Sequence, residues 1–520
     1  MSSPNALTST QDSQIFNKYK PLRNTIRKLG LSDSLKVIHV YAQNLQLDKE
    51  FPPDIEVIPA YSNGSDQQKK QWITEFHLET LCREIILHAD ETESCPKSLR
   101  QWKTLAQAIN KLKELAEFIA ERYVDPDLFQ QELYRMAHQQ LPWQMSQVQA
   151  RNFTRYFMVY KYSPLSKIIE SATTLSIEKI FIMGMALLGY FLDHPAIFYP
   201  MNSQIPGLTN EDFDKFLQHF SKDLGDLKTR LNTEKQMNEK FFYAYHSLRA
   251  FPLIRMPFSE RESLVCPLPT ILFWRITSGM YYEICKEDGF AHAFGEAFQE
   301  YVGEVLKRGT TLERTNIHPE SEYQVGKDRK RTVDWIMDQD DASLFIEVKT
   351  KRLVVKGKSE IGQQETLSLE LDKLARIVVQ LYKTILDYKE GHYPDYPFFR
   401  ERVIFPIVVT LEEWFLIGSR LRKELDSKVS DYMNQERISI TYLQDMPYTV
   451  CSVREIEMAV QVMDKAGIHK VMSGKVFDVQ RREWELSGHI RDAFAEYESN
   501  SQFLFEEEFK NLNIDFLTAR

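Results

Sequence analysis

The sequence predicts an α/β protein, a mixed sheet flanked by helices, preceded by a large all-α N-terminal region. Three observations carry that prediction. From about Gln11 to Phe251, apolar residues recur at three- and four-residue spacing with few β-branched alternations, which is the helical period. Pro252, Pro257, Pro267 and Pro269 then interrupt the pattern. Beyond them, short runs rich in Val, Ile and Phe alternate with helical stretches. This reading divides the chain into an all-α region over 1–265 that senses, scaffolds or assembles, a core over 266–430, and an α/β extension over 431–520 packed on that core.

In the first half, Trp102, Leu105, Ile109, Leu112, Leu115 and Ile119 form one apolar stripe, with Lys103, Lys111 and Glu114 off it. Such a stripe faces a core. Thr209, followed by Glu211 and Asp212, caps a second helix whose stripe is Phe213, Phe216, Phe220, Leu224 and Leu227. The apolar run from Ile180 to Leu192 ends at Asp193 and is too short for a bilayer, which needs about 20 residues, so it is expected as a buried helix. This half has no HExxH, no paired histidines at helical spacing and no glycine-rich phosphate loop. His77 stands without a second ligand nearby and reads as a packed or solvated side chain.

The second half predicts helices over about 271–285 and 291–307, then strand-like runs at 332–337 (TVDWIM) and 344–355 (LFIEVKTKRLVV). Asp338, Gln339, Asp340 and Asp341 supply turn chemistry between the runs, so they are expected to pair as an antiparallel hairpin. A helix over about 367–388 follows, then an apolar strand at 403–410 (VIFPIVVT), further helices and a short strand at about 438–443.

Composition narrows the function. Of the 520 residues, 43% are hydrophobic and 27% charged, which is the balance of a chain that folds. The net charge of −9 argues against a protein that coats nucleic acid indiscriminately, while leaving room for a local basic groove. Five cysteines without a CxxC pair support neither a disulfide framework nor a zinc ribbon, and the N-terminal MSSPNALTSTQDSQ lacks the apolar stretch of a secretory leader. A cytoplasmic protein without a membrane association is expected.

The residues that carry chemistry are Asp334 in TVDW and Glu347, Val348, Lys349 in LFIEVKTK. Alternate residues of a strand share a face, so Glu347 and Lys349 point the same way while Val348 enters the other side. Charges embedded among Leu344, Phe345 and Ile346 need partners. Two carboxylates from neighbouring strands suit a hard divalent cation, and a lysine beside them suits positioning or activating a water and offsetting charge on a phosphoryl transition state.

On these residues, over about 291–410, the chain resembles the PD-(D/E)XK nuclease superfamily, the restriction-endonuclease-like fold. Val333 stands where the family has proline. The order of helix, hairpin with Asp on the first strand and ExK on the second, then helix and apolar strand, is also the family's. The resemblance implies a Mg²⁺-dependent (Mn²⁺ may substitute) deoxyribonuclease with Asp334, Glu347 and Lys349 catalytic, and with Asp334, Glu347 and the Val348 carbonyl on the metal. It also implies an acid on the helix before the hairpin; Gln299 occupies that place in GEAFQEY, Glu296 one turn earlier is the substitute ligand, and Glu300 points away. Gln380, in IVVQLYKTI, matches a glutamine that some members carry, although Thr384 stands where they have tyrosine.

Lys327, Arg329, Lys330 and Arg331 precede TVDW, and Lys351, Arg352, Lys356 and Lys358 follow ExK. Of these, Lys330, Arg331, Lys351, Arg352, Lys356 and Lys358 are expected to contact nucleic-acid phosphates. DNA is the expected partner, with a second protein or another copy of the chain engaged through the helical region. Large helical arms on such nucleases are similar to anti-phage or restriction systems. Two readings compete with a nuclease: an inactive nuclease-like fold that binds nucleic acid or protein, and an unrelated domain in which Glu347 and Lys349 form a structural ion pair.

Overall fold

The computed structural model describes residues 4–92, 94–123, 149–200, 205–238, 240–258, 260–311, 313–350, 364–414 and 419–512. Its described residues divide into two compact units, one running to Phe290 and rejoined at 507–512, the other formed by those between Ala291 and Glu506. The change of unit thus falls at Phe290/Ala291, later than the expected boundary at 265, and the segment 431–506 belongs to the same unit as the hairpin.

The first unit is dominated by helices. Helix Trp102–Tyr123 buries Leu105, Ile109, Leu112, Leu115 and Ile119, as the stripe requires. Thr209 accepts a hydrogen bond from the Asp212 amide and begins helix Asn210–Phe220. Helix Ile177–Asp193 is buried along Ile180, Phe181, Met185, Leu188 and Phe191. Among the described residues no single helix is long and apolar enough to cross a membrane. A bent pair, Ser163–Thr173 with Ile177–Asp193, passes that test only when its two members are taken together.

The unit is not all-α, and this corrects the sequence expectation. Strands β1 (Ala196–Phe198), β2 (Ser221–Asp223), β3 (Leu253–Phe258) and β4 (Arg261–Val265) form a sheet in the order β1-β4-β3-β2. Two of them are three residues long, below the length at which alternation can be recognised, and of the prolines that mark a break in helix Pro252 precedes β3, Pro257 lies within it, and Pro267 and Pro269 follow β4. The expected helix over 271–285 is also interrupted: Pro269–Ile276 stops at Thr277, whose φ of −107° and ψ of −105° are not helical.

The second unit contains the predicted order of elements. Strands β5 (Asn316–Pro319), β8 (Trp335–Asp338), β9 (Ala342–Lys349), β10 (Val403–Thr410) and β11 (Thr449–Ser452) form a mixed sheet in the order β11-β10-β9-β8-β5. Strands β8 and β9 pair antiparallel, whereas β9, β10 and β11 run parallel. A separate hairpin, β6 (Glu322–Val325) with β7 (Asp328–Arg331), turns at Gly326, whose φ of +60° is readily adopted without a Cβ.

Both faces of the mixed sheet are covered. The Phe345 ring lies tilted against that of Tyr388 on helix Gln364–Lys389, 5.0 Å between centroids, so the face shared by Phe345, Glu347 and Lys349 meets that helix. On the other face Trp335, opposite Ile346 in register, lies against Gly303 of helix Phe290–Gly309, and Phe405 meets His469 of helix Ile468–Val476. The stripe Phe294, Phe298, Tyr301, Val302 and Val305 is buried, as expected of the first of these helices.

One predicted strand is absent. Residues 438–443 form a turn leading into helix Tyr442–Asp445, because the Ser439 hydroxyl accepts from the Thr441 amide and offers a local alternative to a ladder. Ile440 is half exposed. The last strand among the described residues is β11, where Thr449 and Cys451 are buried beside β10.

Candidate active site

Strand β9 brings Glu347 and Lys349 to the same face near its carboxyl end, and Lys349 Nζ lies 2.6 Å from Glu347 Oε1. Trp335 pairs with Ile346, so continuing that register sets Asp334 opposite Glu347. Lys349 Nζ is 3.6 Å from Asp334 Oδ2. The three residues expected to do chemistry therefore meet across the hairpin. The carboxylate side chains are nearly enclosed, 11% and 14% exposed for Asp334 and Glu347, whereas that of Lys349 is 35% exposed. Of the three side chains, that of Lys349 is the most open to solvent.

Asp334 has a second task. Its Oδ2 accepts a hydrogen bond from the Val348 amide at 2.6 Å. The antiparallel ladder would otherwise offer that donor to the backbone of Val333, but β8 begins only at Trp335, after a bend at Asp334. The neighbouring chain is held elsewhere: the Thr332 amide donates to the Ser321 carbonyl and the Ser321 amide to Thr332 Oγ1. The predicted strand over 332–337 is therefore shortened at its start and prolonged to Asp338. A strand residue's amide and carbonyl share an edge, so the Val348 carbonyl also faces the Asp334 side.

The protonation equilibria follow from this enclosure. Burial raises Glu347 to about 7, and the Asp334 carboxylate adds to the rise against the pull of Lys349. Asp334 is likewise raised, chiefly by burial, with Lys349 and the Val348 amide opposing. Burial disfavours the Lys349 ammonium, but Glu347 and Asp334 outweigh it and hold the group above its ordinary value. At neutral pH Lys349 is a cation and a donor.

A residue that sequence reasoning missed joins this field. Glu320 is raised by burial and next by the Asp334 carboxylate, with Arg331 and Lys349 opposing. Arg331 Nη1 lies 3.4 Å from its Oε2. Glu320 sits in the turn between β5 and β6, and no period or motif in HPESEYQ marks it.

The helix before the hairpin carries the expected substitute acid, Glu296, in a pair of its own. Glu296 pairs with His292 one turn earlier at 3.3 Å, and its side chain is 42% exposed. Among the described residues no group of three or more His, Cys, Asp or Glu is arranged to hold a metal. Gln299 instead contributes its backbone carbonyl, which accepts from Trp335 Nε1 at 3.0 Å. That bond ties the helix to the residue after Asp334. Gln380 is exposed on helix Gln364–Lys389, and its carbonyl accepts from Thr384 Oγ1.

The basic segment on β7 is largely neutralised. Lys330 Nζ lies 2.7 Å from Asp387 Oδ2, which also accepts from the Tyr323 hydroxyl, and Arg329 pairs with Glu322. Arg331, beside Glu320 and Glu322, is two-thirds exposed. Lys351, Arg352, Lys356 and Lys358 lie outside the described residues.

The donor set fits a divalent cation. Two carboxylates raised by burial lack a full counter-charge, a peptide carbonyl faces their edge, and Mg²⁺ ordinarily takes one or two carboxylates from a protein and keeps several waters. Compared with protein-family models, curated proteins and solved structures, the chain matches none, so the function is argued from this geometry.

Proposed function

We propose that the protein is a Mg²⁺-dependent nuclease that hydrolyses phosphodiester bonds of DNA. The observation that carries this reading is the convergence of Asp334, Glu347 and Lys349 across the β8–β9 hairpin. Asp334 and Glu347, with the Val348 carbonyl, would hold the cation, which when bound supplies Lewis-acid polarisation of the scissile phosphoryl group.

The chain's own residues do the rest. Lys349, kept protonated by its two carboxylates, donates a hydrogen bond to the attacking water or the phosphoryl oxygen and stabilises the charge that grows there. It does not remove the proton. Glu320, whose carboxyl group is raised by its burial and by Asp334, would be the base that accepts it. Tied down by Val348, Asp334 fixes the hairpin end against which these groups are aligned.

Incubation of the full chain with linear, circular, single-stranded and branched DNA in Mg²⁺, Mn²⁺ or EDTA tests the reading. Cleavage that requires the metal and is lost in Lys349→Met and Glu347→Gln is the expected result. Equal cleavage by both variants would sink it. A second reading, an inactive nuclease-like fold that binds nucleic acid, is favoured by the structural bond of Asp334 and by the position of Glu296. DNA binding without cleavage under every metal condition would select it.

A further inference from the structure

The parallel strands place a second feature beside the acid pair. Lys349 on β9 registers with Thr410 on β10, and Thr410 registers with Ser452 on β11. These three residues form a row along the carboxyl edge of the sheet, two strand spacings wide, or about 10 Å. A cavity of about 580 Å³ opens at the Thr410 and Ser452 end of that row. Ligands of open α/β sheets bind beyond the carboxyl ends of the strands, and this volume is ordinary for a binding pocket.

The lining says what the cavity would take. It includes Trp414, Trp484, Arg422, Arg482 and the glutamates 413, 455, 483 and 485. Four carboxyl groups against two guanidinium groups disfavour a phosphate. Trp484 is 42% exposed on the rim, a large planar surface that the fold leaves open to solvent. The backbone that carries it is held, because the buried Lys475 donates to the Arg482 carbonyl at 3.0 Å, Asp478 accepts from the amides of Gln480 and Arg481, and the Trp484 amide donates to the Arg481 carbonyl.

Two of the wall's acids are already engaged. Glu413 lies 3.0 Å from Arg454, and Glu455 accepts from the amides of Ser452 and Ser487. Glu485 is different: burial, then the carboxylates of Glu455 and Glu413, raise it to about 7. Near neutral pH its carboxyl group serves as both donor and acceptor. A planar surface beside such a group matches a heteroaromatic ring that carries both kinds of hydrogen-bonding atom on its edge.

We propose that this cavity receives one unstacked nucleobase bearing an exocyclic amino group, from the strand cleaved at the neighbouring acid pair, with its face on Trp484 and its edge toward Glu485. The proposal rests on the nuclease reading for the identity of the strand. It deepens that reading by making the substrate a locally unpaired or distorted nucleic acid, because a base within a duplex stack cannot enter a cavity.

The test uses the full chain in EDTA, so that binding is read without cutting. Short oligonucleotides carrying 2-aminopurine at successive positions are titrated against the wild type, Trp484→Ala and Trp484→Phe. The wild type is expected to quench one position, Trp484→Ala to lose that quench and bind about 5- to 150-fold more weakly, and Trp484→Phe to retain both. An abasic residue at the quenched position should weaken the wild type by a similar factor and leave Trp484→Ala unaffected. Identical binding of intact and abasic strands by wild type and Trp484→Ala, or no oligonucleotide binding at all, overturns the proposal. Cleavage in Mg²⁺, measured separately, keeps the two readings apart: a cutting enzyme indifferent to Trp484 loses only the cavity, and base capture by a protein that never cuts loses only the nuclease.

Discussion

Asp334 and Lys349 touch the same carboxylate field but differ in what their removal does. Truncation at Asp334 leaves the buried Val348 amide without its acceptor, which costs about 1–3 kcal/mol. Asp334→Ala is therefore expected to lose cleavage by a hundredfold or more and to lower the melting temperature, both by about the scale of such single-group losses. Lys349→Met should lose as much cleavage, and its loss of melting temperature, which comes from leaving Glu347 and Asp334 without their cation, should be the one that Mg²⁺ reverses; parallel melting curves with and without the metal, and initial rates, check the contrast. Glu347 adds a pH dependence. Its folded value of about 7 lies above the ordinary value of about 4.3, so the native chain binds this proton more tightly than the unfolded one. That contribution to stability is complete below the unfolded value and is lost as the pH rises through about 7. Metal-free wild type should thus lose stability relative to Glu347→Gln between pH 5 and pH 8, with Mg²⁺ restoring more at the upper end; calorimetry at each pH would show it, and identical pH profiles would contradict it. Glu320→Gln should slow cleavage by ten- to a hundredfold while leaving the Mg²⁺-induced rise in melting temperature intact, as read by paired kinetics and thermal shift.

At the scale of elements, the junction between helix Phe290–Gly309 and β8 decides whether the hairpin end is held. A Cβ at residue 303 would enter the Trp335 indole, next to Asp334. Gly303→Ala is expected to cost about 1–3 kcal/mol and to reduce cleavage. Gly295→Ala on the same helix meets nothing within 4 Å and should stabilise by up to about 1 kcal/mol, so denaturant midpoints of the two variants separate contact from propensity. The same junction shows how far sequence carried the fold. The stripe from Phe294 to Val305, the turn acids before β9 and the alternation of Glu347 with Lys349 are local periodic signals, and each reappears in the structure. Glu320 and the Gln299 carbonyl reach the site through a turn and a backbone atom, which leave no period to read. The short strands β1 and β2 were hidden for a related reason, since they exist through pairing with β4 and β3 and not through their own pattern. The mistaken strand at 438–443 is the converse, an apolar alternation overruled by the hydroxyl turn at Ser439 and Thr441.

For the molecule as a whole, the second unit owns the acid pair, the mixed sheet and the cavity. A fragment from Asp288 to Glu506 is expected to melt cooperatively and to keep the Mg²⁺-induced rise in melting temperature; circular dichroism and thermal shift check this, and a fragment without a cooperative transition would show that the first unit is needed for folding. Within that unit the two ends of the sheet are built differently. At the end opposite Lys349, the enclosed Asp338 is bound by His318 at 2.7 Å and Arg402 at 2.8 Å, and Tyr396 meets Ser343 at 2.9 Å. These groups lock β5, β8, β9 and the chain entering β10 to one another. At the carboxyl end the described residues 411–414 and 480–488, which carry Trp414 and Trp484, have no strand pairing. The sheet itself therefore separates what substitution can reach: changes near Asp338 strike the bonds that hold the strands together, while changes at 411–414 and 480–488 alter the cavity wall and leave that framework in place.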